Sequence, residues 1–284
     1  MPQAAVDDLC ALLDLEAIEV NIFRGVSPDE DRQRVFGGQV AGQALVAAAR
    51  TVPADAGPVH SLHAYFLRPG DPTIPILYDV DRIRDGRSFT TRRVVAIQHG
   101  KAIFNLSASF HRVEPGLDFQ LPIPDVPGPD ELATWEERME PYKEKLGDWF
   151  ARPRPIDTRV VDWVPPDQRE SLPPYQRVWL RASGVLPDDP ILHTCVLTYA
   201  SDMTLLDTSM NPHRGKVADD KLMMASLDHA MWFHRPFRAD EWLLYVQDTP
   251  SSSFARGLAR GLIYTESGSL VASVVQEGLI RVTT

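Results

Sequence analysis

Hydrophobic and polar positions alternate in short runs along most of the chain, and the places where they stop alternating are the informative ones. Residues 18–25 (IEVNIFRG) and 176–182 (QRVWLRA) are rich in branched and aromatic side chains and predict strands. The segment 36–50, FGGQVAGQALVAAAR, is apolar or small almost all round and free of proline. A helix without a polar face is a buried helix. The opening AAVDDLCALLDL predicts an amphipathic surface helix. A second buried helix is expected from about Tyr199-Ala200-Ser201-Asp202 through MTLLDTSM, following a strand-like HTCVLTYAS.

The same plan occurs twice. SLHAYFLRPG (61–70) precedes GRSFTTRRVVAIQHGKAIFNLSASF (86–110), and SLDHAMWFHRP (226–236) precedes SSSFARGLARGLIYTESGSLVASVVQEG (251–278). The Arg68-Pro69 and Arg235-Pro236 pairs lie 167 positions apart, and the Ser88-Phe89 and Ser253-Phe254 pairs 165. Gly100 and Gly268 then mark a turn before a last strand. A near-constant offset over three landmarks reads as a duplicated unit of strand, buried helix and about four strands. The expected organisation is a first unit over 1–112, a connector over 113–157 and a second unit over 158–284. Eight of the 24 prolines fall within the connector, which predicts an extended crossing of the surface with a short helix inside the charged stretch 129–149.

Composition removes several functions. At 284 residues, with 44% apolar and 24% charged side chains, the chain is globular. The excess of acids, 39 against 29 lysines and arginines, argues against nucleic acid as a partner. No run of about 18 apolar residues offers a membrane span. The N-terminus lacks a basic region before its apolar stretch, the terminal RVTT is not a peroxisomal address, and two cysteines make no disulfide framework. A cytoplasmic protein is therefore expected. There is no G-x-S-x-G, P-loop, H-E-x-x-H or G-x-G-x-x-G, and His60 and His63 lack a third ligand at metal-binding spacing.

Three polar residues stand in apolar surroundings of the second unit: Asp202, Ser226 and Gln276. An acid, a hydroxyl and an amide suit hydrolysis by an activated water, the acid as base and the other two as orienting groups. Each also has an ordinary reading: Asp202 as a helix cap, Ser226 as a turn hydroxyl, Gln276 as an outward strand residue. At the corresponding first-unit positions the chain reads Gly37-Gly38, Ser61 and Ala108, so one active centre per chain is expected.

These segments resemble the acyl-CoA thioesterase II family. The resemblance is carried by FGGQVAGQAL (36–45), HSLHAYFLRPGDPTIPILYDVDRIRDGRSFTTRRV (60–94), AIFNLSASFHR (102–112), LTYASDM (197–203), LDHAMWFHRPFRADEWLLY (227–245) and LVASVVQEGLIR (270–281). It implies an α+β double hotdog, two tandem units each with an antiparallel sheet wrapped around a helix, which hydrolyses acyl-CoA without metal or organic cofactor. Carried over position by position, the family's catalytic set is Asp202, Ser226 and Gln276, with Ser226 where Thr is frequent. Both residues supply a hydroxyl. Pairing into a homo-oligomer is also implied. The CoA phosphates need cations, for which Arg84, Arg87, Arg92, Arg93, Arg256 and Arg260 are candidates. Two other readings share the scaffold: an enoyl-CoA hydratase, which would want an Asp/His pair near the helix entry, and a non-catalytic acyl-CoA binder.

Overall fold

The computed structural model describes residues 2–28, 33–218 and 221–283. An N-terminal helix, α1 (Pro2–Leu13), buries Ala5, Val6, Leu9 and Leu13 along one stripe. The first unit continues with β1 (Glu16–Glu19), β2 (Ile22–Gly25), α2 (Gly37–Ala49), β3 (Val59–Phe66), β4 (Ile76–Asp85), β5 (Phe89–Gln98) and β6 (Lys101–His111). The expected single strand over 18–25 is a hairpin, because the chain turns at Val20-Asn21.

The connector carries three short helices, α3 (Trp135–Met139), α4 (Lys143–Leu146) and α5 (Asp148–Ala151). The second unit follows: β7 (Ile156–Val160), β8 (Tyr175–Ala182), α6 (Pro190–Ser201), α7 (Leu205–Thr208), β9 (Leu222–Ser226), β10 (Asp228–Phe233), β11 (Leu243–Ser253), β12 (Arg256–Thr265) and β13 (Leu270–Val282).

All thirteen strands form one antiparallel sheet, ordered β1-β2-β4-β5-β6-β3-β10-β13-β12-β11-β8-β7, with β9 pairing to β13. The two units join where β3 pairs with β10. Inside the curve of the sheet, α2 and α6 pack on each other. This is the double hotdog. Two glycines make the close helix contact possible. A Cβ at Gly38 would stand 2.3 Å from the Tyr199 carbonyl oxygen, and one at Gly42 would stand 3.3 Å from that of Cys195. The N-terminus of α2 therefore lies against the C-terminus of α6, and that junction builds the site.

The second buried helix differs from the sequence reading. It runs over Pro190–Ser201, so HTCVLTYAS is helical and Asp202 is the residue that closes the helix. Asp189 caps the start, its side chain accepting from the Ile191 amide, with Pro190 in the first turn. The β-branched run misleads because the helix is buried on most sides, leaving no 3.6-residue polar rhythm. The helix N-caps, Phe36 and Asp189, are 153 positions apart, against 167 for the Arg-Pro pairs. The extra residues of the second unit hold α7 and the turn after it. Asp202 thus corresponds to the end of α2 near Arg50, not to Gly37-Gly38.

The connector crosses the outer face of the second unit. Ile123, Val126 and Leu132 pack on Trp179, Trp242, Leu244, Tyr264 and Leu270. The Trp179 indole donates to the Pro127 carbonyl at 2.9 Å, and Gln120 brackets Gly268 and Leu270 with two backbone bonds. No described helix is long and apolar enough to cross a membrane.

Candidate active site

Strand alternation sends every second residue of β13 towards the helices, and Gln276 is one of these, wholly buried. Ser226 ends β9, which pairs with the far part of β13, Ser226 opposite Gly278. Asp202 arrives from the end of α6. Three segments distant in sequence therefore converge on one carboxylate oxygen. Asp202 Oδ1 accepts from Gln276 Nε2 at 2.5 Å and from the Ser226 hydroxyl at 3.2 Å, while Gln276 Nε2 also donates to Ser226 Oγ at 3.0 Å. Gln276 Oε1 is left without a protein partner among the described residues.

The first unit contributes too. The Gly38 amide at the start of α2 donates to the Asp202 carboxylate. A Cβ at Gly37 would collide with Asp202 Oδ2 and with the Phe66 ring, so only glycine admits the acid there. Burial pushes Asp202 up to about 6, and the hydrogen bonds from Gln276, Ser226 and Gly38 hold it back from rising further.

Behind the acid, the last turn of α6 is pinned from two strands. His229 Nε2 lies 2.8 Å from Ser201 Oγ, and the Tyr245 hydroxyl donates to the Ser201 carbonyl at 3.3 Å. The Ser201 hydroxyl donates to the Thr198 carbonyl, so Nε2 carries the imidazole proton. Burial pushes His229 down to about 4, which keeps it neutral.

In front of the acid is a cavity of about 600 Å³. Phe36, Phe66, Phe104, Leu206 and Leu227 give it an apolar wall, and Asp202 and Ser226 open into it. It lies between the units, with walls from both. Among the described residues no group of three or more histidines, cysteines or acids is placed to hold a metal ion.

None of the six arginines singled out from sequence lines this cavity. Arg92 is fully buried inside the first unit, where it donates to Thr51 Oγ1, to the carbonyls of Thr51, Arg84 and Thr91, and to Asp85. Burial with these bonds makes it a support of the fold rather than a phosphate ligand. Arg93 pairs with Asp81, Arg260 with Asp248 and Arg256 with Glu277, all on outer strand faces; Arg84 and Arg87 are exposed around the β4–β5 turn. Among the described residues, the arginines that do line the cavity are Arg34 and Arg68. Sequence reasoning used Arg68 only as a landmark of the repeat and passed over Arg34 and the Gly38 amide. The Asp189-Pro190 cap signal would have placed α6, and with it Asp202 at the end of that helix.

Comparison with known proteins places the chain in a family. The acyl-CoA thioesterase family pattern matches residues 157–279, and that of the acyl-CoA thioesterase N-terminal domain matches 27–111. Acyl-coenzyme A thioesterase 8 of Mus musculus is 42% identical over 286 residues, covering 95% of this chain and 88% of the mouse protein. Acyl-CoA thioesterase 2 of Haemophilus influenzae is 39% identical over 280 residues, covering 97% and 98%. The crystal structure of an acyl-CoA thioesterase II, TesB2, from Mycobacterium marinum superposes with a TM-score of 0.81 at 46% identity over 99% of each chain. With its double hotdog and an acid at the junction of the two units, the chain belongs to the acyl-CoA thioesterase family.

Proposed function

We propose that the chain hydrolyses acyl-CoA to a free acid and CoA, with Asp202 as general base. The observation that carries this reading is the convergence of Gln276, Ser226 and the Gly38 amide on one buried-sided carboxylate that opens into an apolar cavity. A water beside Asp202 gives up its proton to the carboxylate as its oxygen adds to the thioester carbonyl. Ser226 and Gln276 hold that water in line, Gln276 through its bonds to Ser226 and to the Asp202 carboxylate. The tetrahedral oxyanion needs a donor, and we assign this to the amide of Gly37, a residue of the cavity wall in the first turn of α2. Collapse breaks the carbon–sulfur bond, and the proton held by Asp202 passes to the leaving CoA thiolate. The apolar wall takes the acyl chain.

A base raised to about 6 is stronger than an ordinary carboxylate yet still ionised at neutral pH. His229, the histidine nearest in sequence to this machinery, is absent from the cavity wall and bonds Ser201, so the acid–histidine pair a hydratase would want is not formed there. Cys10 and Cys195 are both free, which suits the cytoplasmic setting we assign; pairing of chains into a homo-oligomer belongs to the same reading and is checked by light scattering.

Asp202→Asn tests the mechanism. Thiol release from acyl-CoA is expected to fall by about 10²–10⁴-fold with binding of CoA retained. Full turnover by a correctly folded variant would remove Asp202 from the role of base.

A further inference from the structure

The duplication produced two equivalent arginines, and the structure treats them differently. Arg68 and Arg235 each lie two residues past the end of a central strand, just before a proline. Two bonds of their surroundings correspond. Leu67 N donates to the Ile103 carbonyl and His234 N to that of Val271, both at 2.8 Å. Arg68 NH1 donates to the Ala102 carbonyl at 2.5 Å, and Arg235 NH1 to that of Leu270 at 2.9 Å. From there the two diverge. The connector lays Asp118 and the Phe119 carbonyl over Arg235 NH2, at 2.5 and 3.4 Å, and the guanidinium is mostly covered. Arg68 is exposed on the cavity wall and pairs with no carboxylate among the described residues.

We propose that Arg68 binds a phosphate of the substrate's CoA portion at the mouth of the cavity, filling the place that Asp118 takes at Arg235. This rests on the acyl-CoA reading above. The bond to Ala102 fixes the guanidinium while leaving Nε and NH2 to face an anion, the fork geometry that suits phosphate oxygens. Arg34 stands on the same wall, its guanidinium fixed by a bond to the Met224 carbonyl from the other unit. Among the described residues, the carboxylate other than Asp202 on this wall is Asp207, which is paired with Arg214. In a chain of net charge −10, an anionic ligand needs such a local cationic mouth.

The test compares wild type, Arg68→Gln, Arg68→Lys and Arg235→Gln in two measurements. The first is calorimetric binding of free CoA and of 3′-dephospho-CoA. The second is hydrolysis of an acyl-CoA and of the matching N-acetylcysteamine thioester, which has no phosphate. Arg68→Gln is expected to weaken CoA binding and raise KM for acyl-CoA by about tenfold or more, leaving the short thioester unchanged. Arg68→Lys should recover part of the loss, and Arg235→Gln should leave CoA affinity alone. If the Arg68→Gln effect persists with dephospho-CoA the contact is the pyrophosphate; if it vanishes, the 3′-phosphate. Unchanged CoA affinity in Arg68→Gln, or an equal loss on both thioesters, would overturn the assignment. So would a wild type that does not bind CoA. A wild type that binds CoA through Arg68 yet releases no thiol would instead overturn the hydrolase reading and leave the phosphate site standing.

Discussion

The ends of the two central helices occupy corresponding places in the duplicated fold and are furnished in opposite ways. At the end of α6 an acid meets an amide, a hydroxyl and a helix N-terminus, and opens into a cavity. At the end of α2, Thr51 is gripped by the buried guanidinium of Arg92. The cross-strand pairs beneath them are inverted. In the first unit Arg92 of β5 faces Ala108 of β6, and in the second Ala259 of β12 faces Gln276 of β13. The long polar side chain has moved from one strand of the pair to the other. In one unit it fills the interior and bonds backbone; in the other it reaches the carboxylate. The same pair of positions thus serves packing in one copy and, in the other, bonds the carboxylate proposed as base.

The largest test of that division is Arg92→Ala. Removing a fully buried cation leaves the Thr51 carbonyl and hydroxyl without their donor and opens a void. Equilibrium unfolding should show a loss of about 4 kcal/mol. The kcat of the molecules that remain folded should stay at the wild-type value. A large fall in kcat at unchanged stability would place Arg92 in the site and dissolve the contrast between the units.

A smaller effect lies in the pH dependence of stability. Asp202 has a folded value of about 6 against 3.8 for a free side chain, so between those limits the folded chain binds more protons than the unfolded one. Its contribution is fully present below pH 3.8 and is lost as pH rises through 6. About 2 kcal/mol is expected to disappear over that window, allowing for the carboxylate's partial contact with solvent. Denaturant midpoints across pH 4–7 should show this fall in wild type and not in Asp202→Asn. A matching slope in both proteins would mean that the acid is not strained by its site. The window also links stability to the proposed function: the ionised form assigned as base is the one the fold disfavours.

Much of this contrast was legible before any coordinates. The repeat showed through because paired strands demand the same alternation twice. The helix over 36–50 showed through because nothing polar interrupts it, and α2 was found within a residue of that span. The position of α6 was hidden for the complementary reason: a helix enclosed on most sides shows no period, and its Thr, Cys and Val residues mimic a strand. Asp202, Ser226 and Gln276 were singled out from residue type and from family resemblance. Their meeting with Gly38 was not, since it depends on how closely two glycine-bearing turns of α2 approach α6. The difference between Arg68 and Arg235 was beyond reach of local pattern, because it is made by Asp118, a connector residue 117 positions from Arg235.

The finest probe of the comparison is Gln276→Ala, which gives the second unit the residue that Ala108 supplies in the first. The side chain donates to Asp202 Oδ1 and to Ser226 Oγ, so its loss releases both from a common donor. The backbone is undisturbed, because alanine already sits at the equivalent strand position opposite Arg92. Losing a hydrogen bond to a charged group should lower kcat by about tenfold with little change in KM, since the amide bonds the proposed base and does not line the cavity. The acid limb of the pH–rate profile should move upward as well, because a donor that holds the Asp202 value down has gone. A drop in kcat without that movement would show Gln276 acting on the water alone, and a rise in KM alone would show it acting on the acyl chain. Only the paired change in rate and pH profile fits the role proposed for the amide, to hold the ionised acid ready, where the equivalent strand pair of the first unit carries Arg92 bonded to Thr51.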